Sequence, residues 1–448
     1  MNTSVVGETG KLKVTLWGIN YGPESIGIAP FNQELAEFLA SGGHAVTVVT
    51  AFPYYPRWEK QPGDRGRWHR AVTINGVRVH RGWCYVPAVV TTARRIAHEL
   101  SFGLVSLWRV LVLPRADVYL VVSPPLALGF FAWIAATLKR SRFVFHVQDL
   151  QPDAAVGLGM IRPGRLVRAL YRLEALAYAK AAVVSGISHG MMAAFLRKGV
   201  PVAKCVLLPN WLRLPVAAAP GAMDRAAARQ HFGAAGSTVL AFYAGNLGRK
   251  QSLEILVEAA GRLAEQPPAG GNGVRLVIAG DGAARPALEL GLRRHLAADV
   301  QLMPLLSDGE YAALLGAADV ALITQAAGTG QFFFPSKLLS VLAAGLPVIA
   351  VADEDSELAR AVRDGGFGCV VAPGDADGLA SALRQLGEAR APLAGWAART
   401  GWVRRFSRES ILPRFERMLQ DVAAGRATDV VEPVAPVPEA LRDYAMHR

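Results

Sequence analysis

Short apolar runs alternate with segments of helical spacing along most of the chain. Lys11–Trp17 (KLKVTLW) reads as a strand; a Gly/Pro loop, helical spacing over Pro30–Ala40 and a second strand at Ala45–Thr50 (AVTVVT) complete a βαβ unit. The same order recurs through VYLVVSPP and its helix, FVFHVQD, a helix over Arg165–Lys180, AAVVSGIS and its helix, and CVLLPN. Such alternation predicts a mainly parallel sheet covered by helices. The segment 214–236 is rich in Ala, Pro and Gly with little apolar periodicity, which predicts a connection between domains. The pattern restarts at TVLAFY and continues through RLVIAG, VQLMP, VALIT and PVIAV, each followed by a helix-like segment. The division expected is a tail over 1–10, one α/β domain over 11–213, the linker 214–236, a second α/β domain over 237–401, a helix over 402–422 and a mobile tail over 423–448.

One stretch tests the membrane alternative. Val118–Leu138 runs 21 residues without a charge, but Ser123-Pro124-Pro125 interrupts it, so strand, turn and buried helix is the preferred reading. The segment Thr92–Leu113 is different: Arg94, Arg95 and Arg109 interrupt a series of large apolar residues that includes Trp108. It fits an interfacial helix on a membrane surface and equally a core helix with a solvated end.

Composition narrows the class. The 448 residues are 52% hydrophobic and 19% charged, which excludes disorder as the main state. Cys84, Cys205 and Cys369 are widely spaced and form neither a disulfide framework nor a zinc pattern, and no secretory leader is recognisable, so a reducing cytoplasm is expected. Residues 1–213 hold 25 Lys and Arg against 11 Asp and Glu, a net +14, whereas the remainder holds 23 against 25, a net −2. The basic half calls for an anionic partner. No zinc-finger, RRM-like or basic-heptad pattern accompanies it, so nucleic acid is not expected.

Ligands of open α/β sheets bind at the carboxyl ends of the strands, so the loops there carry the candidate chemistry. The first is Gly18-Ile19-Asn20-Tyr21-Gly22-Pro23-Glu24-Ser25-Ile26-Gly27, which lacks the G-x-G-x-x-G of dinucleotide dehydrogenases and is compatible with a phosphate loop or an ordinary βα turn. The second is Tyr243-Ala244-Gly245-Asn246-Leu247-Gly248-Arg249-Lys250, where glycines permit close approach and two cations suit a departing pyrophosphate. The third is Thr324 to Lys337, ending in Phe-Pro-Ser-Lys at a helix start, where the lysine opposes the helix dipole unless an anion is bound. Asp375-Ala376-Asp377 reads as a turn and cap rather than a metal motif, and Gly7-Glu8-Thr9-Gly10-Lys11 as tail. His44 and His189 read as surface or capping residues.

Taken in order, YGPESIG, HVQDLQPD, SGISHGMM, LLPNW, YAGNLG, IAGDG and FPSKLLSVLAAGLPVIA resemble the family-4 glycosyltransferases of the GT-B fold. The likeness is greatest to the fucosyltransferase-like branch that acts in colanic-acid biosynthesis. The resemblance covers about Leu12–Phe406. It implies two Rossmann-like domains facing across a cleft and a retaining, metal-independent hexosyl transfer without a cofactor. The donor would be a GDP- or UDP-linked sugar, fucose or a related deoxy sugar, and the acceptor a lipid-diphosphate-linked sugar. It also implies a cytoplasmic protein lying peripherally on the inner face of the plasma membrane, with Arg94, Arg95, Trp108 and Arg109 turned to the anionic lipid.

Carried over by position, Gly27 matches the glycine loop beside the donor phosphates, and His146 and Asp149 match the motif near the reacting centre. Gly245, Asn246, Arg249 and Lys250 fall in the diphosphate loop, although Asn246 stands where an arginine is usual and Gln251 where a lysine often falls. The two glutamates eight positions apart that hold donor hydroxyls in the family are replaced by Phe332 and Ser340; Ser336, Lys337 and Ser340 are the substitutes expected to meet the donor, with Lys337 also catalytic. Two other readings stand beside this one: a nucleotide-sugar 2-epimerase on the same fold, and a non-catalytic nucleotide-sugar-binding subunit of a polysaccharide-assembly complex.

Overall fold

The structure is a computed structural model describing residues 10–24, 27–157, 161, 164–212, 224–266, 273–295, 298–330, 337–389 and 401–428. Residues 1–9 of the expected tail over 1–10, linker residues 214–223, Phe332, Ser336 and residues 429–448 lie outside the described residues. The chain divides into two units, one formed by Met1–Asn210 with Ile411–Arg448 and the other by Trp211–Ser410.

The first unit holds β1 (Lys13–Trp17), α1 (Ala29–Ser41), β2 (Ala45–Ala51), β3 (His69–Ile74), β4 (Val77–Gly82), α2 (Thr92–Val112), β5 (Val118–Ser123), α3 (Ala127–Lys139), β6 (Arg142–Val147), α4 (Gln151–Gly157), α5 (Arg165–Lys180), β7 (Val183–Gly186), α6 (His189–Arg197) and β8 (Cys205–Leu207). Its sheet has the order β3-β4-β2-β1-β5-β6-β7-β8. All its pairings are parallel except β3 with β4, a hairpin turned by Asn75 and Gly76 at φ +48° and +80°. Val118–Leu138 folds as β5, a proline turn and α3, and no described helix is long and apolar enough to cross a membrane.

The second unit holds α7 (Arg225–His231), β9 (Val239–Ala244), α8 (Glu254–Glu265), β10 (Val274–Ala279), α9 (Arg285–Arg294), β11 (Val300–Met303), α10 (Asp308–Ala317), β12 (Val320–Thr324), α11 (Lys337–Ala343), β13 (Val348–Val351), α12 (Glu357–Asp364), β14 (Gly368–Val371) and α13 (Ala376–Ala389). The sheet is wholly parallel, in the order β11-β10-β9-β12-β13-β14. Strand residues alternate between two buried layers. Leu240, Phe242, Val277, Ala279, Ala321 and Ile323 pack on one face, and Ala241, Tyr243, Leu276, Ile278, Val320 and Leu322 on the other. This is why these strands read as unbroken apolar runs: helices cover both faces.

Two segments depart from the sequence reading. Within 214–236, Arg225–His231 forms α7, and Ala228 and Phe232 are buried in the core of the second unit. Arg229 also meets Asp319 at 2.8 Å, so this stretch is domain rather than linker. The C-terminal helix, α14 (Arg408–Ala424), belongs from Ile411 onward with the first unit. There Glu416 meets His44 at 2.9 Å, and Arg142 donates to the Val422 carbonyl at 3.0 Å. His44 is accordingly buried, its Nδ1 accepting from the Leu12 amide at 3.0 Å, and is not a surface residue.

Candidate active site

Strand order reverses between β9 and β12 in the second sheet, so the loops after these strands form its natural ligand crevice. Lys337, the first residue of α11, extends into this crevice. Its Nζ lies 3.8 Å from the ring centroid of Tyr243, at the end of β9, and donates to the Tyr243 hydroxyl. That hydroxyl in turn donates to the Asn246 carbonyl at 2.8 Å. Burial, followed by the nearby charge of Lys250, pulls the Lys337 ammonium down from its usual range to about 7. Tyr243 is the partner that motif reading missed; the signal was a large aromatic closing a strand directly before a glycine turn.

Gly245 makes this approach possible. Its φ is +133°, and a Cβ there would stand 2.7 Å from the Lys337 Nζ. The loop is fixed from beneath: the Gly245 amide donates to Ala279 at 2.8 Å, and the Leu247 amide to the Asp281 carbonyl at 2.9 Å. A Cβ on Gly280 would fall 1.8 Å from the Gly245 carbonyl oxygen. Arg249 and Asn246 are exposed beside the loop. The Thr324 hydroxyl and the Gln251 Oε1 are buried with no hydrogen-bond partner among the described residues. Glycine backbone, a desolvated lysine and a second cation can receive a diphosphate.

Ser340 lies one turn on from Lys337. Its hydroxyl shares a 2.7 Å hydrogen bond with Tyr311 and donates to the Lys337 carbonyl at 2.9 Å, so it ties α11 to α10. Asp375 accepts from the Gly378 amide at 2.8 Å and caps α13. No group of three or more His, Cys, Asp or Glu able to hold a metal occurs among the described residues.

In the first unit the order reverses between β1 and β5, which places the loop after β1 at that sheet's crevice. Glu24 organises this loop. Its Oε1 accepts from the Tyr54 and Tyr55 amides at 2.9 Å each, and its Oε2 from Asn20 at 2.9 Å. Burial pushes its carboxyl above the usual range, against those hydrogen bonds. Gly27, at φ +70°, sits with its Cβ position 3.7 Å from Tyr55. Burial raises the Tyr55 phenol; Arg95 pulls it back, and the charges of Asp149 and Glu24 add to the rise.

His146 is buried at 3% exposure at the end of β6. Gln148 donates to its Nε2 at 2.9 Å, which leaves Nδ1–H to donate to Ser185 Oγ at 2.9 Å. Gln148 also exchanges hydrogen bonds with Asn210 at 3.0 and 2.9 Å. Burial lowers the imidazole to about 3, so it is neutral throughout the physiological range. His146 thus bridges Ser185 and Gln148. The sequence reading missed Gln148 and Asn210, although both lie in motifs it singled out.

Along α2, Leu100, Leu104, Trp108 and Val112 form an exposed apolar stripe, with Trp108 at 69% exposure. Arg94 and Arg95 are exposed in its first turn, Arg95 pairing with Glu99 at 3.1 Å. Arg109 does not join this face; it is half-buried and donates to His80 Nδ1 at 2.9 Å, which corrects its expected outward position.

Comparison with known proteins agrees with this geometry. The glycosyl transferase 4-like domain family matches residues 27–211, and the glycosyl transferases group 1 family matches residues 238–388. The chain is 30% identical over 411 residues to WcaI of Escherichia coli K12, named as a colanic acid biosynthesis glycosyl transferase, covering 90% of this chain and 98% of that protein. Its fold matches sucrose-phosphate synthase from Thermosynechococcus elongatus with a TM-score of 0.71 at 19% identity, covering 93% of this chain and 100% of the other. HepE of Anabaena in complex with UDP matches with a TM-score of 0.66 at 16% identity, covering 92% and 100%. The chain therefore belongs to the glycosyltransferases of the GT-B fold that join a glycosyl transferase 4-like domain to a group 1 glycosyl transferase domain.

Proposed function

We propose that the protein transfers a sugar, fucose or a related deoxy sugar, from a nucleotide diphosphate sugar to a lipid-diphosphate-linked acceptor in exopolysaccharide synthesis, with retention of configuration. The observation that carries this reading is Lys337, a desolvated ammonium held against Tyr243 and Gly245 where the second sheet reverses. The name of the WcaI relative and the UDP bound in HepE support it. The second unit takes the donor. Its diphosphate lies on the Gly245–Lys250 loop with Lys337, Lys250 and Arg249 offsetting its charge and Asn246 beside it. The bond from the anomeric carbon to the diphosphate oxygen breaks as the acceptor hydroxyl attacks from the same face, and the acceptor's proton passes to the departing phosphate. These cations supply the positive charge that a metal supplies elsewhere, so the reaction is proposed to need neither metal nor cofactor.

The first unit takes the acceptor, with Gly27 at the mouth of its crevice and Asp149 beside it. His146 positions Gln148, and Ser340 positions the turn bearing Lys337. The α2 stripe with Arg94, Arg95 and Trp108 rests on the anionic inner face of the plasma membrane. Transfer is measured with UDP-, GDP- and dTDP-sugars, EDTA and a lipid-linked acceptor in anionic vesicles. Consumption of one donor with a retained anomeric product is expected; nucleotide binding without turnover would favour a non-catalytic subunit instead.

Two further results are expected. kcat/KM for the donor falls as pH rises through about 7, where free Lys337 loses its proton, while the basic limb of kcat lies higher because the bound diphosphate stabilises the ammonium. A pH-independent kcat/KM between 6 and 9 would remove Lys337 from the free-enzyme profile. Trp108→Glu is expected to weaken sedimentation with anionic vesicles roughly tenfold or more, since it removes the largest exposed apolar side chain of the stripe and sets a negative charge against anionic lipid; unchanged sedimentation would clear α2 of that role.

A further inference from the structure

A second pocket in the first unit, about 360 Å³, is walled by Trp58, Trp83 and Tyr85 with Lys60 and Arg65. It shares Glu59 and Lys60 with the depression of about 420 Å³ that reaches Glu24 and so adjoins the loop after β1. Its cations are not equivalent. Arg65 is paired with Glu59, both well exposed. Lys60 is half-buried, its ammonium 4.9 Å from the centroid of Trp83, and has no carboxylate within ion-pair distance among the described residues. Burial holds it below its usual range.

Trp58, one face of the aromatic wall, is held in place. Trp58 adopts φ +54°, a conformation a bulky residue takes only when its surroundings hold it, and its ring lies 5.3 Å from Tyr54 and 5.2 Å from His98. Trp68, 68% exposed, lies 5.1 Å from Trp83 and extends the same surface. Indole and phenol rings present flat apolar faces to the C–H face of a pyranose, and a partly buried cation without a carboxylate partner among the described residues gains from an acid group.

We propose that this pocket is a subsite for an acid-bearing sugar of the acceptor, with the pyranose against the aromatic wall and its carboxylate or phosphate on the Lys60 ammonium. It rests on the reading that the first unit receives a saccharide acceptor, and adds to it a preference for anionic glycans.

The test is saturation-transfer NMR on the full chain with methyl glucuronide, glucose 6-phosphate and neutral methyl glucoside, repeated on Lys60→Gln. The charged probes are expected to bind at least tenfold more tightly than the neutral one, and Lys60→Gln to abolish that difference while methyl glucoside binding is unaltered. The stronger of the two charged probes distinguishes a carboxylate from a phosphate. Equal binding of all three, no binding, or a charge preference that survives Lys60→Gln overturns the proposal. Trp83→Leu, checked for folding by its melting curve, is expected to weaken all three probes; unaltered binding places the sugar elsewhere and also overturns it. Donor hydrolysis without acceptor, measured on the same samples, separates the two failures. Hydrolysis with no sugar preference sinks the subsite alone, whereas absence of hydrolysis and of nucleotide-sugar binding sinks the transferase reading.

Discussion

Lys337→Met is expected to lower donor turnover roughly 100- to 1,000-fold, the usual cost of removing one aimed charge from a developing anion. Methionine keeps the aliphatic stem and removes only the ammonium that lies 3.8 Å from the Tyr243 ring. The Tyr243 hydroxyl retains its 2.8 Å hydrogen bond to Asn246, so nothing buried is orphaned. The fold should therefore survive, and thermal stability should hold or rise because a desolvated charge has been removed. The loss should fall on donor affinity and further on kcat, since the ammonium meets the bound diphosphate and the interaction strengthens as charge moves onto it in departure. Steady-state kinetics beside a melting curve decides this: near-normal kcat in a folded variant would remove Lys337 from the chemistry.

Gly280→Ala is expected to carry the largest structural effect. A Cβ there would stand 1.8 Å from the Gly245 carbonyl oxygen, in a backbone with φ +147°. The obstacle is main chain, which cannot rotate away as a side chain would. Backbone strain and steric overlap together cost on the order of 2–5 kcal/mol, which corresponds to a fall in melting temperature of roughly 5–15 °C for a unit of this size. Because Gly245 also seats Lys337, the folded fraction should bind nucleotide sugar less tightly. Gly309→Ala serves as the control, since nothing beyond its chain neighbours and its own helix backbone lies within 4 Å of its Cβ position. Equal melting temperatures for the two variants would contradict the interlock of the two glycine loops.

The same interlock shows what could be read from the chain in advance. β9, β10, β12 and β13 are buried on both faces, so their apolar runs stand out, and loops that follow such strands are where ligands bind. Lys337 was legible because a lysine at a helix start conflicts with the dipole and calls for an anion. Its partner was not. Tyr243 and Lys337 are 94 residues apart, and no local spacing records such a contact. His146 was legible as a motif member but not as a buried imidazole, because what packs on it comes from far along the chain: Ser185 on β7 and Phe415 of α14, whose ring lies 5.2 Å away. α14 itself is an amphipathic helix whose packing partner no local pattern specifies. The β3–β4 hairpin escaped because β3 is largely exposed and lacks an apolar rhythm, although Asn75-Gly76 is a strong two-residue turn signal. α7 escaped because Ala-rich segments show weak periodicity, and its anchoring rests largely on Phe232 and Arg229.

The central claim is that Lys337, as an ammonium, holds the donor diphosphate, and calorimetric titration tests it most directly. UDP- and GDP-sugars are titrated into wild type and Lys337→Met at pH 6 and pH 9, a range in which the phosphodiester oxygens of the donor do not titrate. Wild type is predicted to bind one of them more tightly at pH 6, on the side of about 7 where free Lys337 is charged, and to lose affinity by pH 9 as binding must take up a proton. Lys337→Met should bind weakly with no such pH dependence. Equal affinities for the two proteins at both pH values would contradict the account.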